Sequence, residues 1–150
     1  QGLAPPADMP QARLAMGDTA GAQADGGPDR APLVLVIDDD PDARSIYERA
    51  LRAVGYRTAT AASGEAGLAS VEGLRPALVV LDLAMPGTDG YAVARAIRTL
   101  PDAATLPILV CTGLPRAAEA EARAAGGTAF CMKPLEPQRF LAAARCLCPV

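Results

Sequence analysis

Residues 33–40, LVLVIDDD, are five consecutive apolar residues followed directly by three carboxylates. A short apolar run without alternation is typical of a strand that is buried on both faces of a sheet. Pro41 comes next, and proline is favoured in the first turn of a helix. The stretch therefore predicts a buried strand, an acidic strand end and a helix in immediate succession.

Four further repeats of strand and helix follow. The predicted strands span residues 33–37, 57–61, 77–81, 108–111 and 128–132. The predicted helices run from Pro41 to about Gly55, Ser63 to about Gly73, Gly90 to Thr99, Pro115 to Ala125 and Pro137 to Leu147. Such alternation predicts an α/β fold with a parallel sheet covered by helices on both faces. Arg57 and nearby threonines place the second strand at an edge of that sheet.

The first predicted helix has an apolar face with helical spacing. We expect six residues to pack against the sheet: Ala43, Ile46, Tyr47, Ala50, Leu51 and Val54. Asp40 is expected to cap this helix and Asp89 the third, because acidic side chains are favoured at helix N-termini. Both capping residues therefore lie outside the predicted site.

Composition excludes several classes of function. The chain has 150 residues, the size of one domain, and a net charge of −3. Its arginines are scattered among acidic residues, so no basic face for nucleic acid is expected. No apolar run reaches membrane-spanning length, and the N-terminus lacks a signal pattern. We expect a cytoplasmic protein that binds neither nucleic acid nor membrane directly.

The four cysteines indicate neither a disulfide framework nor a metal site. They are Cys111, Cys131, Cys146 and Cys148, and the sequence contains no histidine. Cysteines within apolar runs are expected to act as small hydrophobic residues.

Residues 1–31 differ in composition from the rest. They are rich in Gly, Pro, Ala, Asp and Gln, and a segment with so few bulky apolar groups cannot offset its ordering entropy by burial. We expect a flexible linker or tail there and a folded domain over residues 32–148. The first residue is not methionine, so we expect the chain to be a processed or excised piece.

Polar side chains follow four of the predicted strands: Asp38 and Asp39, Asp82, Thr112, and Lys133, the single lysine of the chain. In sheets of this kind, ligands bind at the carboxyl ends of the strands. Clustered carboxylates need a cation, and oxygen ligands without His or Cys select Mg²⁺ or Mn²⁺. A carboxylate nucleophile, a divalent metal, a hydroxyl and an ammonium are the parts of a site for phosphoryl transfer to an aspartate.

Four short motifs occur in order: VIDDD at 36–40, LDLAMPGTDG at 81–90, CTG at 111–113 and KP at 133–134. With these separations the chain resembles, from residue 33 to 147, the receiver domain of bacterial response regulators, the phospho-acceptor module of two-component signalling. The resemblance implies a flavodoxin-like, doubly wound, five-stranded parallel sheet with strand order 2-1-3-4-5 and helices on both faces. It also implies a signalling domain and not an enzyme that turns over free substrates.

The resemblance assigns a role to each acidic residue. Asp82 would be the phosphorylated residue. Asp39 and Asp82 would bind Mg²⁺ directly, with Mn²⁺ as a substitute, while Asp38 would assist through water. The backbone carbonyl of Ala84 would complete the protein ligands.

A second group of residues would respond to the phosphoryl group. Thr112 and Lys133 would each contact a phosphoryl oxygen, and Phe130 would turn inward when Thr112 moves. Pro134 matches a position that is preceded by a cis peptide bond. Ala84 and Leu114 are both apolar, so no side chain there would orient an attacking water, and we expect no unusually fast self-dephosphorylation.

The resemblance also implies partners. A histidine kinase or phosphotransfer protein would supply the phosphoryl group, and a downstream protein would bind the face formed by the fourth helix, fifth strand and fifth helix. The chain would be a single-domain response regulator or the receiver module of a larger hybrid sensor kinase.

Two alternatives stay open. One is a pseudo-receiver that acts only as an interaction module, although the full set of polar residues argues against it. The other is a magnesium-dependent phosphatase with Asp82 as the nucleophile. Enzymes of the haloacid dehalogenase type use Asp-x-Asp, and Ala84 stands at the second position, where a general acid would be needed.

Overall fold

A computed structural model describes residues 13–15 and 30–150 of the chain. The strands are β1 (Arg13–Ala15), β2 (Leu33–Ile37), β3 (Arg57–Ala61), β4 (Leu78–Leu81), β5 (Ala84–Met85), β6 (Thr88–Asp89), β7 (Ile108–Thr112) and β8 (Ala129–Met132). The helices are α1 (Pro41–Ala53), α2 (Gly64–Leu74), α3 (Gly90–Thr99), α4 (Ala118–Ala125) and α5 (Pro137–Leu147). The predicted repeats of strand and helix are confirmed, with small shifts at some ends.

The main sheet has the order β1-β3-β2-β4-β7-β8. Five of its strands, β3, β2, β4, β7 and β8, are parallel, and their order is the predicted one. The register pairs Ile37 with Leu81 and Thr112 with Met132, so the strands that precede the predicted site residues end side by side. This register brings the polar residues after each strand to one edge.

The sheet extends by one strand beyond the prediction. The short strand β1 pairs antiparallel with β3, with Leu14 opposite Ala59. β3 is thus the outermost parallel strand, as expected, but it is not the edge of the sheet. Three residues of the predicted linker belong to β1; the rest of residues 1–29 lies outside the described part, and the boundary at residue 31 stays a prediction.

Two apolar cores lie on the two faces of the sheet. Leu35 and Ile37 of β2 point into the core formed with α2, α3 and α4, whereas Val34 and Val36 point into the core formed with α1 and α5. All five residues of β2 are buried. This two-sided burial explains why the strand is continuously apolar.

The inward face of α1 differs from the prediction at one residue. Tyr47 and Leu51 are buried, but Ile46 is 58% exposed. Successive residues of a helix are separated by about 100°, so Ile46 lies well round the helix from Tyr47, at the flank of the apolar stripe. The prediction that Ile46 packs against the sheet is wrong.

Two further local features differ from expectation. A two-stranded hairpin, β5 with β6, occupies the loop between β4 and α3. The α4 helix begins at Ala118 and not at Pro115, after a turn in which the Ala118 amide donates to the Pro115 carbonyl. None of the helices in the described part of the chain is long and apolar enough to span a membrane.

Candidate functional site

Three carboxylates converge at the carboxyl edge of the sheet. Each of Asp38, Asp39 and Asp82 offers an oxygen atom that lies within 4.8 Å of those of the other two. Asp38 and Asp82 are buried, at 1% and 5% exposure, whereas Asp39 faces solvent. The backbone fixes the two buried residues, because the amide of Asp38 donates to Ala61 and the amide of Asp82 donates to Ile37. The predicted acidic cluster is therefore present.

Lys133 reaches into this cluster from the end of β8. Its ammonium Nζ lies 3.1 Å from Oδ2 of Asp38 and 3.5 Å from Oδ2 of Asp82. The Lys133 side chain is 29% exposed, so it is only partly removed from solvent. The peptide bond between Lys133 and Pro134 is cis, as the resemblance implies.

Burial and charge act against each other in this cluster. Burial raises the pKa of Asp38 above its ordinary value, although hydrogen bonds from the Asp40 amide and from Lys133 oppose the rise. Burial alone would lower the pKa of Lys133, but the hydrogen bond and charge of Asp38, with the charge of Asp82, raise it overall. One ammonium thus compensates only part of the negative charge.

The loop after Asp82 holds the carboxylate in place. The amide of Ala84 donates a 3.1 Å hydrogen bond to Oδ1 of Asp82, and the amide of Gly90 donates to the carbonyl of Leu83 at 3.2 Å. A Cβ atom at Gly90 would lie only 2.4 Å from Cα of Leu83. A glycine is therefore required where α3 begins against the loop.

Thr112 and Phe130 lie beside the acidic cluster. The buried hydroxyl of Thr112 accepts a 3.1 Å hydrogen bond from the amide of Leu114. Phe130 is half-buried, and the guanidinium of Arg123 lies 4.6 Å from the centre of its ring. Both residues line one open cavity of about 640 Å³, together with Lys133, the start of α5 and the turn before α4. The cavity provides room in which both side chains could move.

Asp40 and Asp89 have the capping roles predicted for them. Oδ1 of Asp40 accepts from the amide of Asp42 at 3.0 Å, and Oδ1 of Asp89 accepts from the amide of Tyr91 at 2.9 Å. One contact at the site had no sequence signal. Arg44 donates a 2.7 Å hydrogen bond to the backbone carbonyl of Asp38 and so ties α1 to the acidic strand end.

The donor set fits a hard divalent cation. Three carboxylates supply oxygen atoms within 4.8 Å of one another, and no His or Cys is among them. Oxygen ligands and partial exposure suit Mg²⁺, which keeps several of its waters. Burial raises the pKa of Asp38 despite its contact with Lys133, so the ionised carboxylate is disfavoured here, which a bound cation would relieve.

Sequence comparison identifies the family. Residues 34–145 match the family described as "Response regulator receiver domain". The chain belongs to this family. Curated relatives of the receiver domain include the transcriptional regulatory protein AfsQ1 of Streptomyces coelicolor, 46% identical over 81 residues, which are 54% of this chain and 35% of the relative. Another is the DNA-binding response regulator MtrA of Mycolicibacterium smegmatis, 34% identical over 113 residues, 75% of this chain and 48% of that protein.

Solved structures show the same fold. The chemotaxis protein CheY4 of Vibrio cholerae is 28% identical, with a TM-score of 0.74 over 78% of this chain and 98% of that one. The receiver domain of the sensor histidine kinase PA1611 from Pseudomonas aeruginosa, solved with a magnesium ion in its active site cleft, has a TM-score of 0.72 at 24% identity, over 78% of this chain and 97% of that one. The predicted fold class, a CheY-like doubly wound α/β domain, is confirmed.

The receiver domain spans only part of its regulator relatives. It covers 35% of AfsQ1 and 48% of MtrA. The shared part is the receiver of a two-component system.

Proposed function

We propose that this receiver domain accepts a phosphoryl group on Asp82 and passes the signal to a partner protein. The observation that carries the proposal is the convergence of Asp38, Asp39 and Asp82 on a single lysine at the strand ends. Family membership supports the same reading of these residues.

Asp82 is the proposed nucleophile. Its carboxylate oxygen attacks phosphorus, an acyl phosphate bond forms, and the bond from phosphorus to the donor, a phosphohistidine nitrogen in the kinase, breaks. Asp82 is buried at the end of β4, and its oxygens are already held by the Ala84 amide and Lys133. A nucleophile with fixed orientation loses little freedom on reaction.

Asp38, Asp39 and Asp82 would hold Mg²⁺, with the carbonyl of Ala84 as a further ligand and Mn²⁺ as a substitute. The metal would neutralise charge on the transferring phosphoryl group. Lys133 is placed to do part of this work, because its Nζ lies between Asp38 and Asp82 and can turn toward a phosphoryl oxygen on Asp82. The single lysine suits such a role, since an ammonium is a compact point charge on a flexible stem.

Thr112 and Phe130 form the proposed switch. Thr112 exchanges its hydrogen bond with the Leu114 amide for one to the phosphoryl group, and Phe130 turns into the vacated space. The ring of Phe130 lies under Arg123 of α4, so its movement removes a contact that holds this helix. α4 has no side-chain N-cap, and only Ala122 and Ala125 of its residues are buried. A helix with such weak packing is suited to shift between two positions.

The output surface is the face formed by α4, β8 and α5. Met132 is 49% exposed there, beside the cavity that reaches Thr112. A downstream protein would bind this face when Asp82 of the receiver domain is phosphorylated. The upstream partner is a histidine kinase or phosphotransfer protein, and the domain acts as a stand-alone regulator or as the receiver of a larger sensor kinase.

Intact mass after incubation with acetyl phosphate and Mg²⁺ tests the proposal. We expect one phosphoryl adduct that requires the metal, is absent in Asp82→Asn and persists in the matched control Asp40→Asn, which alters a helix cap only. A folded protein without an adduct, and without a response to a phosphohistidine donor, would indicate a pseudo-receiver. Release of phosphate from small phosphoesters over many turnovers would indicate a phosphatase.

A further inference from the structure

Two cysteines face each other across neighbouring strands on the α1 and α5 side of the sheet. Cys111 of β7 and Cys131 of β8 are register partners, and both belong to the core on this side. Neighbouring strands are about 4.8 Å apart, within the Cα separations that disulfides span. Both side chains extend from the same face of the sheet, so the two thiols lie side by side. The pair is thus placed for covalent linkage with small local adjustment.

Only one of the two cysteines lines the cavity that opens to solvent. Cys131 lines the open cavity between β8 and the start of α5, whereas Cys111 is 1% exposed and does not line it. Arg139, at the same end of α5, also lines the cavity. A small oxidant that enters this cavity can therefore react with Cys131 directly. Cys111 would react afterwards, with the oxidised Cys131.

The environment favours the thiolate of Cys131. The hydrogen bond with Cys111 lowers the pKa of Cys131, burial opposes this effect, and the charge of Arg139 contributes in the same direction as the hydrogen bond. The same hydrogen bond, together with burial, raises the pKa of Cys111. The thiolate is the form that reacts with oxidants.

We propose that Cys111 and Cys131 form a reversible redox site, in which Cys131 reacts first with hydrogen peroxide and Cys111 then resolves the oxidised Cys131 to a disulfide. The thiolate sulfur of Cys131 attacks one peroxide oxygen; the O–O bond breaks, the second oxygen leaves as water after protonation, and Cys131 becomes a sulfenic acid. The sulfur of Cys111 then attacks that of Cys131; the S–S bond forms and the S–O bond breaks. A second water leaves with the Cys111 proton. Two thiols and one peroxide thus give one disulfide and two waters.

This site is separate from phosphoryl acceptance, because neither cysteine belongs to the acidic cluster. The two cysteines are nevertheless close in sequence to two residues of the proposed phosphoryl site. Cys111 directly precedes Thr112, and Cys131 lies two residues before Lys133. A disulfide would fix the spacing of the two strands that carry these side chains.

Peptide mapping of the full chain after treatment with hydrogen peroxide tests the proposal. Trypsin places Cys111 in the fragment 99–116, Cys131 in 124–139, and Cys146 with Cys148 in 146–150. We expect a cross-link between the first two fragments that dithiothreitol removes. It should persist in Cys146→Ser, which removes the exposed cysteine, and dimedone should trap a sulfenic acid on Cys131 in Cys111→Ser.

The unmodified protein supplies a test that needs no variant. Cys131 and Cys148 are similarly buried, at 9% and 8% exposure, but burial raises the pKa of Cys148. In the folded protein, iodoacetamide should alkylate Cys131 at least about tenfold faster than Cys148. Equal rates together with no cross-link between 99–116 and 124–139 would overturn the proposal, as would a peroxide-induced cross-link formed only through 146–150.

Discussion

The backbone amide of Lys133 donates a 2.9 Å hydrogen bond to the carbonyl oxygen of Thr112. This bond continues the pairing of β7 with β8 past their last register pair, Thr112 with Met132. The two side chains proposed to contact the phosphoryl group are therefore linked through the backbone. We therefore expect a displacement of the Thr112 backbone to reach Lys133 and β8, the strand of the proposed output face.

Gly90 and Gly113 differ in the space available for a side chain, so substitution by alanine should lower stability at Gly90 and not at Gly113. Gly90→Ala should lower the free energy of unfolding by roughly 2–3 kcal/mol and reduce phosphorylation, because its Cβ would lie 2.4 Å from Leu83 Cα and 2.9 Å from the Asp82 carbonyl. Gly113→Ala is the matched control, since its Cβ would meet only Cβ of Lys133, at 4.0 Å. Urea denaturation and adduct yield measure both. Equal losses in the two variants would contradict this account of Gly90.

Asp38→Asn should stabilise the metal-free protein. Because the pKa of Asp38 is raised on folding, its contribution to stability is present below the ordinary pKa and is lost as pH rises through the folded value. At neutral pH the ionised carboxylate therefore opposes folding. We expect a higher Tm for the variant at pH 7 without Mg²⁺, and a gap to the unmodified protein that narrows as pH falls. A gap that widens in acid would refute the assignment.

Lys133→Ala should destabilise the metal-free protein, in contrast to Asp38→Asn. Removal of the ammonium leaves Asp38 and Asp82 buried without a cationic partner, which we expect to cost about 2 kcal/mol, less than for a fully buried pair because Lys133 is 29% exposed. Added Mg²⁺ should restore part of the loss, since it supplies positive charge to the same oxygens. Chemical denaturation with and without Mg²⁺ measures this. The pKa of Lys133 is raised on folding. Its contribution to folding stability is therefore present below the ordinary pKa of lysine and is lost only as pH rises through the higher pKa of the folded state.

Arg98 joins three segments far from the acidic cluster. Its guanidinium donates to the carbonyls of Ala103, Leu106 and Gly126. Arg98→Ala should destabilise the domain by roughly 2–3 kcal/mol, because these carbonyls lose charged donors. Arg95→Ala is the matched control on the same helix; its ion pair with Asp89 is 3.9 Å long and exposed, so a change within about 0.5 kcal/mol is expected. Thermal unfolding of both variants measures how much the hydrogen bonds of Arg98 contribute to stability.

The apolar residues at 84 and 114 predict a slowly hydrolysed acyl phosphate. Ala84 is exposed beside Asp82, but a methyl group cannot orient an attacking water, and Leu114 is apolar as well. Once the donor is removed, we expect the adduct to persist well beyond seconds, and Ala84→Asn to shorten its lifetime. Time-resolved intact mass provides the lifetime. Loss within seconds in the unmodified chain would show that another group positions the water.

The sequence predicted the parallel strands and the members of the acidic cluster because both depend on local patterns. The run Leu33–Ile37 followed by Asp38 specifies a buried strand and an acidic end without knowledge of its neighbours. Pro41 and Asp40 likewise mark the start of α1 through proline and capping preferences.

Features that depend on distant partners could not be predicted in this way. The pairing of β1 with β3 joins segments more than 40 residues apart, and the hairpin of β5 with β6 has two residues in each strand. The cysteine pair appears only once the register of β7 with β8 is known. Each case requires the tertiary arrangement, which composition and periodicity do not contain.

Lysine occurs once in this sequence, and its ammonium contacts both Asp38 and Asp82. A culture supplied with ¹⁵N-lysine would therefore produce a domain with one labelled side-chain nitrogen, located between the acidic groups. The resonance of that nitrogen would need no assignment. Cation binding, phosphorylation and partner docking could each be followed as a change in one peak.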